Sequence, residues 1–158
     1  MEYQLTKPPV AKAEMLIRKP AREAFEAIAD PAFTTRFWFT KSSGRLEPGK
    51  WVEWEWEMYG FSTHAHVLEM EPDRRILLEW GDSEMTTIEW LFTPHSDQST
   101  FVSVTNSGFS GENGDSLVAQ AIGSTEGFTF VLAAMKALLE HGIELKVVAD
   151  RHPGGIGG

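Results

Sequence analysis

His64 and His66 stand two residues apart in a run, Phe61 to Met70, that alternates like a β-strand, so both imidazoles point to one face. Parity groups them with Leu68 and Met70 against Ala65, Val67 and Glu69, which predicts that they face the interior. Paired imidazoles in such a place can move a proton, donate a hydrogen bond to a ligand carbonyl, or supply two ligands to a metal. A metal needs a third ligand, and the chain offers no His-x-x-x-His and no acid–histidine helical pair to provide it. No metal and no other cofactor is therefore expected. The plainer alternative is two strand histidines satisfied by neighbours or by water. Asn106 shares the parity of Val102 and Val104, so it either lines the same interior or caps the turn that follows. Glu53, Glu55 and Glu57 resemble an acidic site but alternate with Val52, Trp54, Trp56 and Met58, and read as a solvated outer face. Ser107, Ser110 and Thr125 lack a histidine–carboxylate arrangement, so no nucleophile triad is visible.

Trp54, Trp56, Trp80 and Trp90 all fall on the predicted inner parity. Two readings fit that much aromatic surface. The rings either wall a pocket for an apolar or aromatic ligand, or fill a core against Phe128, Leu132 and Met135.

The elements that must hold these residues follow from the chain order. Val10 to Lys19 reads as a first strand, closed by Pro20 at the start of a short helix rich in helix formers. Asp30-Pro31 breaks that helix, and a second short one is predicted over Ala32 to Phe39, carrying Phe33, Phe37, Trp38 and Phe39. Turn signals at Pro48-Gly49, Tyr59-Gly60, Glu71-Pro72-Asp73 and Gly81-Asp82 then divide an antiparallel meander. A glycine-rich loop from Ser107 to Asp115 follows, and its Ser110 to Gly114 portion is a candidate lid. Asp115 or Ser116 is expected to cap a helix through Leu117 to Ile122, with a bend at Gly123. The long helix is predicted over Thr125 to His141. Phe128, Val131, Leu132, Met135, Leu138 and Leu139 form its buried face, and Ala133, Ala134 and Ala137 a small flank placed to receive the two short helices. Gly142 suits a left-handed cap. The tail is expected to pack briefly through Ile143, Leu145 and Val147, with the final GGIGG frayed.

Composition narrows the function classes. The chain has 158 residues and a net charge of −9, which argues against a phosphate-backbone partner and against an anionic membrane surface. With no cysteine, disulfides, thiol catalysis and zinc–cysteine sites are excluded. No uninterrupted apolar run reaches bilayer length, and the first residues lack a signal peptide's apolar core, so a cytoplasmic location is expected. No repeat and no linker appears, which predicts one domain over residues 1–158. An exposed aromatic such as Trp38 or Trp51 would suit a homodimer surface.

Three groups of residues carry a family resemblance. Ile17-Arg18-Lys19-Pro20-Ala21, then Ala24-Phe25-Glu26-Ala27-Ile28 and Asp30-Pro31, resemble the opening strand, helix and prop of the START-like, or SRPBCC, superfamily. Val67-Leu68-Glu69-Met70-Glu71-Pro72 with Arg75-Ile76-Leu77 resembles its central hairpin. Ser107-Gly108-Phe109, then Gly127-Phe128 through Leu138-Leu139-Glu140-His141-Gly142, resembles the branch related to the C-terminal domain of the heat-shock-protein-90 ATPase activator. The resemblance implies an α+β helix-grip fold. A curved antiparallel sheet of about six to seven strands would wrap a long C-terminal helix, with two short helices after the first strand. It also implies a cavity between sheet and helix for a small apolar or aromatic molecule, with His64, His66 and Asn106 orienting its polar end. The superfamily also contains cyclases and co-chaperones, so an enzyme using a pocket histidine and an interaction module stand as alternatives.

Overall fold

A computed structural model describes residues 5–155. Among the described residues, seven strands form one antiparallel sheet: β1 (Ala11–Ile17), β2 (Lys41–Ser42), β3 (Trp51–Trp56), β4 (Phe61–Glu71), β5 (Arg75–Trp80), β6 (Thr86–Ser96) and β7 (Ser99–Ser107). Their order across the sheet is β1-β7-β6-β5-β4-β3-β2, so β2 to β7 run as a meander and β1 closes beside β7. Short helices α1 (Ala21–Ala29) and α2 (Pro31–Thr34) follow β1, and a long helix α3 (Gly114–His141) and a short α4 (Val147–Arg151) follow β7. This is the helix-grip α+β architecture. The last three of the residues expected to fray, 156–158, lie outside the described part.

Local chemistry explains the helix ends. The Asp30 side chain accepts from Ala32 N–H at 2.9 Å, and Pro31 sits at the first helical position, so α1 stops and α2 starts at one dipeptide. The second helix is shorter than the sequence predicts. It ends at Thr34, leaving Phe37, Trp38 and Phe39 in an irregular segment that is nonetheless buried. That segment puts Trp38 in the core at 7% exposure, which removes it from any dimer surface.

The long helix also differs from expectation. It runs unbroken from Gly114, and Asn113 is the cap, accepting from Ser116 N–H at 2.9 Å. Gly123 does not split it. Each helical glycine costs about 1 kcal/mol relative to alanine, and packing along the rest of the helix offsets that. The far end is as predicted: Gly142 at φ 64° lets its own N–H and that of Ile143 reach Leu138 O and Ala137 O. By length and composition α3 is apolar enough to cross a bilayer, but Phe128, Val131, Leu132, Met135 and Leu138 are buried, so it is the core helix of this fold. It lies closest to β1, while α1 packs on β6 and β7; the alanine flank is not the main seat of the short helices.

A charged clasp locks α3 to β1. Lys136 Nζ donates to Leu16 O at 2.8 Å and to Glu140 Oε2 at 2.7 Å, and Arg18 N–H donates to the same carboxylate at 2.8 Å. Burial alone would push the Glu140 carboxyl up, but the two hydrogen bonds and the Lys136 charge together outweigh it and hold it below the usual carboxylate range. A depressed folded value means that the ionised group stabilises the fold above its unfolded value of about 4.3, and that this is lost as pH falls through the folded value. Glu140→Gln should therefore lower unfolding free energy by about 1–2 kcal/mol at neutral pH. Urea denaturation should show the gap to wild type closing below about pH 4.

Candidate functional site

The register between β3 and β4 decides which side chains meet inside. A 3-10 turn over Glu57–Tyr59 and Gly60 at φ 61° bring Trp56 opposite Phe61, Trp54 opposite Thr63 and Val52 opposite Ala65. Directly paired residues share a face of the sheet, so Thr63, Ala65 and Val67 point inward and all three are buried. Small residues are needed there. Ala65 sits between Val52 and Trp80, and the inner space is already taken by indoles from both neighbouring strands.

His64 and His66 therefore lie on the outer face, contrary to the sequence expectation. His64 pairs with Glu53, its Nε2 3.2 Å from Glu53 Oε2 and its Nδ1 3.1 Å from Asp82 Oδ1. His66 stacks flat on the exposed Trp51, ring centroids 4.3 Å apart, with Nδ1 3.4 Å from Glu79 Oε1. Met58, in the 3-10 turn, and Leu68, beside a bulge between Val67 and Glu69, also leave the predicted inner set and are exposed. The bulge returns Met70 to the core side. Among the described residues, no three acids or histidines are grouped to hold a metal ion.

The inner face is part core and part cavity. Trp54, Trp90, Leu132 and Met135 are fully buried and belong to the packed interior. Trp56, Trp80, Asn106 and Phe128 instead line a cavity of about 420 Å³ between the sheet and α3, joined by Trp38 and Val131. Further residues that were not foreseen also face it, among them Thr63, Thr86, Ser124 and His152. Parity would have given Thr63 had the β3–β4 register been known. Ser124 and His152 depend on the uninterrupted α3 and on α4, neither of which the sequence pattern resolved.

A hydrogen-bonded belt holds the polar side of the cavity. Asn106 Nδ2 donates to Thr86 Oγ1 and to Thr87 O, both at 2.9 Å, while its Oδ1 accepts from Ser124 Oγ at 2.8 Å. Trp80 Nε1 also donates to Thr86 Oγ1, at 3.0 Å. Asn106 thus spans from β7 to β6 and α3, and its amide hydrogens are both used. The indole N–H groups of Trp56 and Trp90 are buried without a partner among the described residues; each ring meets an aromatic neighbour edge-on, Phe39 and Phe128 respectively.

Two glycines open the cavity. Gly123 and Gly127, one helical turn apart on α3, line it, are exposed, and would place a Cβ within 4 Å of nothing. Opposite them the β5–β6 turn carries Glu84. Gly81 makes that turn possible: at φ 130° any Cβ would collide with the Glu84 carbonyl. Glu84 accepts from Ser110 Oγ at 2.8 Å, which seats the expected lid loop beside the opening. The far end is closed by α4, where Tyr59 Oη donates to His152 O at 2.8 Å and Val148 O at 3.3 Å. A second cavity, about 550 Å³ and lined by Arg36, Thr40 and the segment from Glu144 to Ala149, shares only Trp38 and Val148 with the first.

Sheet, grip helix and the aromatic cavity between them together define a helix-grip protein of the SRPBCC type. The family model for "Activator of Hsp90 ATPase homolog 1-like protein" matches residues 18–140, and the chain belongs to that family. Among solved structures, the protein SSP2350 from Staphylococcus saprophyticus is similar at 29% identity and a TM-score of 0.75, over 87% of this chain and 96% of that one. The Aha1 dimer from Colwellia psychrerythraea shares the fold at 17% identity and a TM-score of 0.71, over 84% of this chain and 97% of that one. So does the di-domain ARO/CYC BexL from the BE-7585A biosynthetic pathway, at 18% identity and a TM-score of 0.70, over 83% of this chain and 46% of that one. No curated protein sequence gives a significant match.

Because the space beside both glycines is open, Gly123→Ala and Gly127→Ala should each stabilise the protein by about 0.5–1 kcal/mol through helix propensity and a less flexible unfolded chain. Thermal unfolding should show both midpoints raised.

Proposed function

We propose that this protein binds a small apolar or aromatic molecule in the cavity between the sheet and α3. The observation that carries the reading is the cavity itself. Its volume of about 420 Å³ lies within the range of sites that enclose a drug-sized ligand, and its walls are Trp38, Trp56, Trp80 and Phe128. A core that needed only to be filled would not pair four aromatic walls with two glycines one turn apart on the helix. Rings held this close to one another gain from an aromatic guest in offset or edge-on contact.

The enzyme reading, a cyclase- or dehydratase-like activity, requires a proton-moving histidine in the pocket. His64 and His66 lie outside it, engaged with Glu53, Asp82 and Glu79. The titratable side chains left at the cavity are Glu84 and His152. The interaction-module reading has support in the family match and the Aha1 neighbour, but it gives the aromatic cavity no role. Binding is the function that the geometry supports best.

N-phenyl-1-naphthylamine, an uncharged aromatic dye whose emission rises in apolar surroundings, tests the proposal. It should bind at micromolar concentration with enhanced emission and a change in tryptophan fluorescence. Gly127→Trp, which places an indole in the opening, should abolish binding without unfolding the protein, whereas His64→Ala should leave it unchanged. A dye that fails to bind wild type, or that binds Gly127→Trp equally well, contradicts the proposal.

A further inference from the structure

We infer that the cavity selects an uncharged ligand carrying an oxygen acceptor, held by the Thr86 hydroxyl, and rejects organic anions; this rests on the reading that the cavity binds a ligand at all. The hydrogens of the polar belt point to it. Thr86 Oγ1 accepts from both Trp80 Nε1 and Asn106 Nδ2. A hydroxyl has two acceptor sites and one hydrogen, so these two bonds leave its hydrogen unspent, with no acceptor for it among the described residues. The Ser124 hydrogen is already given to Asn106, and both amide hydrogens of Asn106 are occupied. Thr63, 5% exposed and also lining the cavity, makes no side-chain hydrogen bond among the described residues. The belt therefore offers the cavity neutral hydroxyl donors, and Thr86 is fixed in place by its two incoming bonds.

The charge of the lining decides the rest. Among the described residues neither lysine nor arginine lines the cavity, and its titratable side chains are Glu84, at the exposed rim, and His152, beside α4. A carboxylate or sulfonate entering here would lose its water without meeting a lysine or arginine, and that desolvation costs more than hydroxyl donors alone return. Glu84 adds a smaller, screened repulsion because it is solvent-exposed. A carbonyl, ether or hydroxyl oxygen meets neither penalty. Its lone pair satisfies a donor that is otherwise left unpaired, which is where a single hydrogen bond discriminates most.

Three ligands on one skeleton separate these effects: 2-acetylnaphthalene with a neutral acceptor, 2-ethylnaphthalene with none, and 2-naphthoate with a charge. Each is titrated against wild-type protein loaded with N-phenyl-1-naphthylamine. Acetylnaphthalene should displace the dye best, ethylnaphthalene roughly three- to tenfold less well, and naphthoate weakest, at least about tenfold below the acetyl compound. Thr86→Val should erase the acetyl-over-ethyl preference and Thr86→Ser should keep it, which separates the hydroxyl's role from any loss of belt geometry. Glu84→Lys should narrow the gap between naphthoate and acetylnaphthalene. Naphthoate binding wild type as well as acetylnaphthalene, or an acetyl preference that survives Thr86→Val, overturns this inference. Failure of the dye itself to bind would instead overturn the proposed function.

Discussion

Everything in this molecule is arranged around the ring of Trp38. Its centroid lies 5.0 Å from Trp54, 5.7 Å from Trp80, 5.6 Å from Phe128, 6.0 Å from Trp90 and 5.4 Å from Phe39. Those partners come from β3, β5, α3, β6 and the segment after α2, so one indole joins the sheet, the long helix and the prop. Each such pair contributes about 0.5–1.5 kcal/mol beyond the area it buries. The same ring is a wall of both cavities, so the piece that fixes the architecture also sets the shape of the space beside it.

That space exists because two constraints conflict. An indole-rich inner face demands a large partner surface, and α3 supplies it through Phe128, Val131, Leu132 and Met135 only from its middle onward. One and two turns before Val131 the helix presents Gly127 and Gly123, which carry no side chain to press on Trp56 and Trp80. The sheet cannot collapse into the gap, since Asn106, Thr86 and Ser124 brace β7, β6 and α3 at a fixed separation. The result is a packed core at one end of the helix and an open, aromatic cavity at the other.

The fold was legible because its signals are local. Period-two alternation, a proline after the first strand, Asp30-Pro31 and the Phe128-to-Leu138 stripe each act over a few residues and point to the same architecture. The site was only half legible. Trp56, Trp80, Asn106 and Phe128 follow from parity within their own strands and helix, and all line the cavity. His64 and His66 do not, because the inward side of β4 is set by its partners: Trp54 and Trp80 claim the volume, so the small residues Thr63 and Ala65 turn in. Side-chain size within one strand gave the opposite parity. Gly123 misleads in a different way, since tertiary packing carries a helix through a residue whose intrinsic preference would end it.

The central claim is that an apolar guest sits between the indoles and the glycine turns of α3, and amide and indole N–H NMR shifts tested with N-phenyl-1-naphthylamine address it most directly. The account predicts that the largest changes fall on Gly123, Gly127, Thr86 and the indole N–H groups of Trp56 and Trp80, with Trp51 and His64 on the outer face unmoved. Shifts gathered around Trp51 and His66 instead, or none in the presence of saturating dye, would contradict it.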